Sequence, residues 1–418
     1  MTPRRWWQGL TLIVLVALVI RVIAALSVSE IIGPDAGRYH RAALDLLAGK
    51  GFTVTDSAPL YPAFLAAVYG VFGVQDGRPV QLIQCVCWAA AVGLIGLIGR
   101  RLFDPMVGWL AAAFAAIYPP FIKYRVFGGS TYYSTENLFI WMLLVMMWWL
   151  IVDERPGLRR LLFGGIALGL ATLTRASTIW FPVVVAGWLL FQRPVDVRRW
   201  AAQAVVFCAA MWLVVGPWTL RNARVYRAFV PVTLVTGLPL FTGNNVYARG
   251  DSVDASNWPA YAPLGFGAIE DPVERDRAYM RAVFQFWRGL TPAQHVQLIA
   301  KKFFLFWTDF GSAYNWVYGL MVPWALVGAW VTRRNRRAWV LSGLIGYTLA
   351  MCLVAFGIER MRLPVEPYLI LLASAGVLWF VRRFQNRMIP FAALAGWVVF
   401  HVSLAWAWPW MSRHINVV

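Results

Sequence analysis

Hydrophobic residues along this chain come in long blocks separated by short polar segments. Apolar runs occupy about 8–28, 79–99, 106–121, 135–152, 161–172, 178–192, 201–218, 314–332, 338–357, 364–381 and 389–408, eleven in all. A bilayer core of about 30 Å takes roughly 20 apolar residues per helix, so each run predicts a membrane-spanning helix. The runs at 161–172 and 178–192 are short and need residues from their flanks. Two longer segments, 29–78 and 219–313, interrupt the alternation. In the first, the stretch from Asp35 to Leu47 places apolar residues at helical spacing. A second such stretch runs from Pro62 to Phe72, after the Ala58-Pro59-Leu60-Tyr61-Pro62 turn. Both predict helices lying in the membrane interface. The later segment opens with Pro217-Trp218-Thr219-Leu220-Arg221-Asn222, is polar in its middle, and predicts helices near 272–288 and 293–307.

Composition narrows the class. The 418 residues are 60% hydrophobic and 14% charged, whereas a soluble domain carries about 25% charged residues. That leaves too little charge to cover a water-exposed surface of this size, and too much apolar residue for disorder. Four cysteines cannot staple a chain this long; Cys85, Cys87, Cys208 and Cys352 all fall in apolar runs and read as buried, inert thiols. The expected fold class is an all-α polytopic membrane protein of about eleven transmembrane helices, 1–418 forming one domain.

The net charge of +19 does not point to nucleic acid, because the basic residues are scattered in small clusters between apolar runs. With the N-terminus inside, six short inner segments hold 17 Lys and Arg, and the short outer segments hold six. The positive-inside rule then favours an inner N-terminus and an outer C-terminus. The opening MTPRRWW and its apolar run read as an uncleaved first helix, with Arg21 snorkelling near its outer end.

On this topology only Asp104, Asp153, Glu154 and Asp196 face inward, so the other fifteen of the nineteen acidic residues gather on the outer side. Asp35 and Glu136 stand at the outer membrane boundary, where partial desolvation makes a carboxylate a better general base. For Asp35 the alternative is an N-cap of the helix that follows. Arg221, the pair Lys301-Lys302, and Arg360 with Arg362 are candidates for binding a phosphate. Headgroup anchoring, and for the last pair salt bridges to Glu359 and Glu366, are the alternatives. Trp258, Tyr261, Phe266 and Tyr279 of the long segment read either as platforms for sugar rings or as membrane anchors.

Several of these pieces resemble, in order, the motifs of GT-C membrane glycosyltransferases. The branch is that of the protein mannosyltransferases and aminoarabinose transferases, with many bacterial relatives. Asp35-Ala36-Gly37-Arg38-Tyr39 with Ala58-Pro59-Leu60-Tyr61-Pro62 resembles the family's first outer loop. Thr135-Glu136-Asn137 resembles its second acidic motif, and Gly169 to Arg175 its fifth-helix end. Pro217-Trp218 with Arg221-Asn222 and Gly243-Asn244 resembles the start of its long loop, and Arg360-Met361-Arg362-Leu363-Pro364 its late arginine motif. The resemblance covers roughly residues 10–385. Ala36 stands where many members have a second acid.

The resemblance implies an inverting glycosyltransferase that takes a sugar from a polyprenyl-phosphate donor and passes it to a glycan, lipid or protein acceptor. The setting implied is a bacterial inner membrane, with the active site facing the periplasm. It assigns Asp35 the catalytic base, with Glu136 as a second catalytic residue and Arg38, Tyr39 and Tyr61 as first-loop support. It makes Arg360, Arg362, Lys301, Lys302 and Arg221 the donor-phosphate group. A divalent ion, Mg or Mn by the hardness of oxygen ligands, would assist at Asp35 and Glu136. An O-antigen polymerase or ligase and a lipid-linked-sugar transporter are the competing classes.

Overall fold

The computed structural model describes residues 2–384 apart from 28–33, 56, 74–76, 123–133, 193–195, 249, 253–258, 260 and 308–315, with scattered residues between 388 and 406. For Pro34, Asp35 and Trp316 it describes the backbone. The chain runs α1 (Pro3–Leu26), α2 (Pro34–Leu47), α3 (Leu60–Phe72), α4 (Arg78–Leu102), α5 (Pro105–Ile117), α6 (Pro119–Ile122), α7 (Thr135–Ile151), α8 (Leu158–Thr174), α9 (Phe181–Leu190), α10 (Val197–Tyr226), α11 (Gly237–Thr242), α12 (Pro272–Gly289), α13 (Pro292–Trp307), α14 (Trp316–Thr332), α15 (Trp339–Val354), α16 (Glu359–Arg362) and α17 (Glu366–Arg383). Each of the first ten predicted spans falls on one of these helices. The eleventh, 389–408, lies mostly outside the described residues. Among the described residues five segments are long and apolar enough to cross a membrane: Pro3–Leu26, Arg78–Leu102, Val197–Tyr226, Arg336–Val354 and Glu359–Arg383.

The helices sort by how many sides they bury. Residues on all faces of α7 and along α17 are buried, as expected of helices that are apolar all round. From Leu12 onward in α1 and between Ala202 and Leu220 in α10 the exposed residues are themselves apolar, among them Leu15, Val19, Ile23, Val205 and Leu213. A continuous exposed apolar face on a helix this long suits lipid rather than water. Packing joins α7 to α4 and α8, α8 to α10, α4 to α1 and α5, and α17 to α5 and α14; α15 lies against α9 and α13. Small residues let backbones meet at these seams. A Cβ on Gly165 of α8 would lie 2.5 Å from the Phe207 carbonyl oxygen of α10, and one on Gly328 of α14 only 1.8 Å from that of Leu372. Membrane helices associate through such close approach, because lipid supplies no hydrophobic drive between them.

Two expectations are corrected. Pro217 does not open a loop: α10 continues through it to Tyr226. The lost hydrogen bond is offset by side chains that stitch the last turns to the returning segment 230–232. Trp218 Nε1 donates to the Val232 carbonyl at 2.7 Å, Thr219 Oγ1 to that of Pro231 at 2.8 Å, and Asn222 Nδ2 to those of Val230 and Val232. Arg21 does not snorkel either. It is fully buried, and its guanidinium donates to the Ala115 and Ala116 carbonyls at the end of α5, whose last carbonyls have no partner within the helix.

The predicted inner segments meet at one end of the bundle. There Trp6 Nε1 donates to the Pro105 carbonyl, Arg382 pairs with Asp104 at 3.1 Å, Arg101 donates to the Val152 carbonyl and Arg337 to that of Ile151. The predicted outer segments meet at the other end.

Candidate functional site

At that other end three distant parts of the chain converge on one carboxylate. Glu136 stands in the first turn of α7, where an acid suits the helix N-terminus. Arg175 is the C-cap of α8, and Arg360 lies on the single turn of α16. Glu136 Oε1 accepts from Arg360 Nε at 2.7 Å and from Arg175 Nη1 at 3.1 Å. Glu136 is 2% exposed and each arginine 17%. Neighbours fix the group: Asn137 Nδ2 ties α7 to the Gln84 carbonyl of α4 at 2.7 Å, and Arg175 Nη2 reaches Met361 Sδ at 3.5 Å. Two guanidiniums on one carboxylate leave this trio with a surplus positive charge, and both arginines retain some exposure.

The first-loop helix borders the trio. Tyr39 of α2 packs edge-on against Tyr61 of α3, ring centroids 5.3 Å apart. Tyr61 is buried and accepts a hydrogen bond from Gln84 Nε2 at 2.8 Å. Burial raises the Tyr39 hydroxyl above the usual tyrosine pKa, and the Glu136 charge adds to this, while Arg38, Arg175 and Arg360 oppose it. Tyr39 therefore lies within electrostatic reach of the trio. The Arg38 guanidinium lies 5.5 Å from the Tyr39 ring. Pro34 opens α2, a favoured place for proline, so Asp35 stands in the helix's first turn rather than at its cap, one turn before Tyr39. The Asp35 side chain lies outside the described residues.

The other predicted phosphate ligands are placed elsewhere. Arg362 is 1% exposed; its Nε donates to Glu366 at 3.0 Å, its Nη1 to the Phe306 carbonyl at 2.7 Å, and its guanidinium covers the Tyr318 ring at 3.5 Å. This is the salt-bridge alternative: a buried pair joining α13, α14 and α17. Lys302 is also 1% exposed, and Nζ donates to Asn244 Oδ1 at 2.7 Å and to the Val354 carbonyl at 3.2 Å. Burial lowers its pKa to about 8. Its neighbour Lys301 is exposed. Arg221 holds the first loop to α10, donating to the Phe52 carbonyl at 3.0 Å with its guanidinium 4.9 Å from the Trp218 ring. The loop aromatics form a small core rather than a sugar platform or a membrane anchor. Phe241 is buried among Tyr261, Phe266 and Tyr279, and the last two stack at 4.4 Å; Trp258 lies outside the described residues.

From the sequence Arg175 reads only as a helix end within a family motif. Its partner in a fold lies 39 residues away, and spacing alone carries no sign of that pairing. Of the two predicted metal ligands, Glu136 is engaged by two guanidiniums, and the Asp35 side chain lies outside the described residues. Among the described residues no three His, Cys, Asp or Glu side chains come together, and at Glu136 a cation would face two guanidiniums.

The comparisons agree with this architecture. Residues 56–218 match the model of the dolichyl-phosphate-mannose-protein mannosyltransferase family. No curated protein matches the sequence. The oligosaccharyltransferase of Archaeoglobus fulgidus in its apo form aligns over 99% of this chain and 56% of its own, with a TM-score of 0.61 at 11% identity. The oligosaccharyltransferase AglB from Archaeoglobus fulgidus, in complex with an inhibitory peptide and a dolichol-phosphate, aligns over 98% and 55%, with a TM-score of 0.59 at 12% identity. The chain thus spans about half the length of these enzymes. ArnT from Cupriavidus metallidurans bound to undecaprenyl phosphate aligns over 92% and 82% with a TM-score of 0.41 at 14% identity, too low a score to carry an argument. Family match and shared fold together bear out the resemblance read from the sequence, to the GT-C superfamily of membrane glycosyltransferases.

Proposed function

We propose that this integral membrane protein transfers a sugar from a polyprenyl-phosphate-linked donor to an acceptor hydroxyl at the outer face of a bacterial cytoplasmic membrane, with inversion at the anomeric carbon. The observation that carries the reading is the convergence of Arg175 and Arg360 on the buried Glu136, beside the first-loop helix that bears Asp35. The carrier's chain stays in the bilayer while its phosphate sits at the headgroup depth of this end.

In the reaction the bond between the anomeric carbon and the phosphate oxygen breaks as the acceptor oxygen attacks from the opposite face. Negative charge grows on the departing phosphate, and the trio's surplus positive charge stabilises it. Glu136, engaged by two guanidiniums, fixes their orientation rather than taking a proton. Asp35 takes the acceptor proton, and in-line placement of the two substrates supplies further rate. Arg362, Lys302 and Arg221 hold the surrounding segments in place, and Lys301 remains a helper for the phosphate. No step is routed through a metal. The archaeal relative solved with Zn and sulfate shows that an enzyme of this fold binds one.

The test is single-turnover transfer from a labelled polyprenyl-phosphate sugar by detergent-purified protein, with release of polyprenyl phosphate as the readout. Asp35→Asn should lose roughly 10²–10⁴ in rate while retaining donor. Arg360→Ala should lose donor binding and transfer together, and Arg360→Lys should recover only part, because the planar fork is gone. Full turnover by Arg360→Ala would remove the phosphate assignment, and full turnover by Asp35→Asn the base.

A further inference from the structure

The opposite, arginine-rich end carries a feature the transfer reaction does not use. The sequential helices α14 and α15 are joined there by the turn 333–338 and pack on different neighbours, α14 on α17 and α15 on α9 and α13. Between them lies a cavity of about 440 Å³. Ala329, Thr332 and Arg333 line it on the α14 side, and Ala338, Trp339, Ser342 and Gly343 on the α15 side, with Arg333 at the turn that joins the two helices.

That turn reads Thr332-Arg333-Arg334-Asn335-Arg336-Arg337, four arginines without an intervening acid. Arg333, Arg334 and Arg336 are exposed. Arg333 is propped outward by its bond to the Trp330 carbonyl at 2.7 Å and by the Trp330 ring, 4.4 Å from its guanidinium. Arg336 Nη1 donates to the Phe191 carbonyl at 3.2 Å, and Arg337 is turned inward onto the Ile151 carbonyl. Trp330 and Trp339 are both partly exposed, the placing that amphipathic rings take at a membrane boundary. An apolar slot between helices, an indole belt and a basic turn match an acyl chain, a glycerol backbone and a phosphate.

We propose that this groove binds an anionic diacyl phospholipid, its phosphate held by Arg333 and Arg334 and one acyl chain lying between α14 and α15. Basic pockets between transmembrane helices recognise such headgroups. The site is separate from the transfer site and holds whether or not the sugar donor is a polyprenyl phosphate.

Native mass spectrometry of the full-length protein, titrated with phosphatidylglycerol or phosphatidylcholine of matched chains, tests the proposal. Phosphatidylglycerol should be retained in preference. Arg333→Ala with Arg334→Ala should weaken its retention by about five-fold for each charge removed. Ser342→Trp leaves the charge unchanged but fills the slot from an exposed position, and should weaken retention as well. Equal retention of the two lipids overturns the proposal. So does loss in the arginine variant alone, since that would be surface attraction without a groove. Displacement of phosphatidylglycerol by undecaprenyl phosphate at equal concentration would give the groove to the carrier lipid and also overturn it.

Discussion

Residues at the outer end are held by charge placed where water is scarce. Removing one partner of a buried ion pair costs about 3–5 kcal/mol, because the other charge is left uncompensated. Glu136→Gln exposes two guanidiniums to each other and should cost stability in that range, read as a fall in the midpoint of thermal unfolding in detergent. Arg175→Ala should cost less, because Arg360 still faces the carboxylate. Lys302 donates to an amide oxygen and a backbone carbonyl, both neutral, and burial holds its pKa near 8 against an ordinary 10.5. Its folded-state pKa is therefore depressed. Below pH 8 the protein carries a charged amine in a site that disfavours it. Between about pH 8 and 10.5 the unfolded chain binds the extra proton, so stability rises with pH across that window. The gain is roughly 3 kcal/mol over the window. Lys302→Met should flatten this rise, which thermal midpoints of both proteins from pH 7 to 10.5 would show.

At the scale of helices, the seams carry the argument. Gly328 of α14 meets the Leu372 carbonyl so closely that any side chain there must push α14 off α17. Gly328→Ala should destabilise by about 1–3 kcal/mol, the usual cost of overpacking. A Cβ on Gly346 of α15 would meet nothing within 4 Å beyond its own helix backbone. Gly346→Ala should be neutral or stabilising by about 0.5–1 kcal/mol, since alanine is the better helix former. Thermal unfolding of the two variants side by side separates the close seam from propensity. The same reasoning explains why α10 runs past Pro217. One hydrogen bond is missing from the helix, and three side chains on its next turns find carbonyls on segment 230–232.

For the whole molecule the arrangement of charge predicts orientation. Fusions of a reporter after Arg101, Arg160 and Arg337 should report the cytoplasm, and one within 240–280 the outer side. The clustering of Arg100, Arg101, Arg337 and Arg382 with their partners at one end makes the first three sites move together. A cytoplasmic signal from 240–280 would place the Glu136 trio on the wrong face for an outer-side reaction.

Much of this organisation was already determined by the sequence. Helix positions follow from apolar periodicity because every backbone group in lipid must be satisfied within its own segment, so ten apolar runs became ten helices. Helices α2, α3, α12 and α13 were legible for the same local reason, and Glu136 and Arg360 stood out as charges at helix ends. Only the tertiary structure decided which charges meet. Glu136 and Arg360 are 224 residues apart and nothing in their spacing pairs them, whereas Arg362 turns to Glu366, four residues on. Arg21 reads from the chain as a snorkelling cation and Lys302 as a phosphate ligand or headgroup anchor, yet both are buried, Arg21 on the carbonyls that end α5 and Lys302 on Asn244 Oδ1 and the Val354 carbonyl. A side chain's partner is set by helix packing, which depends on long-range shape. A helix's existence is set by its own twenty residues, and that is why the second was readable and the first was not.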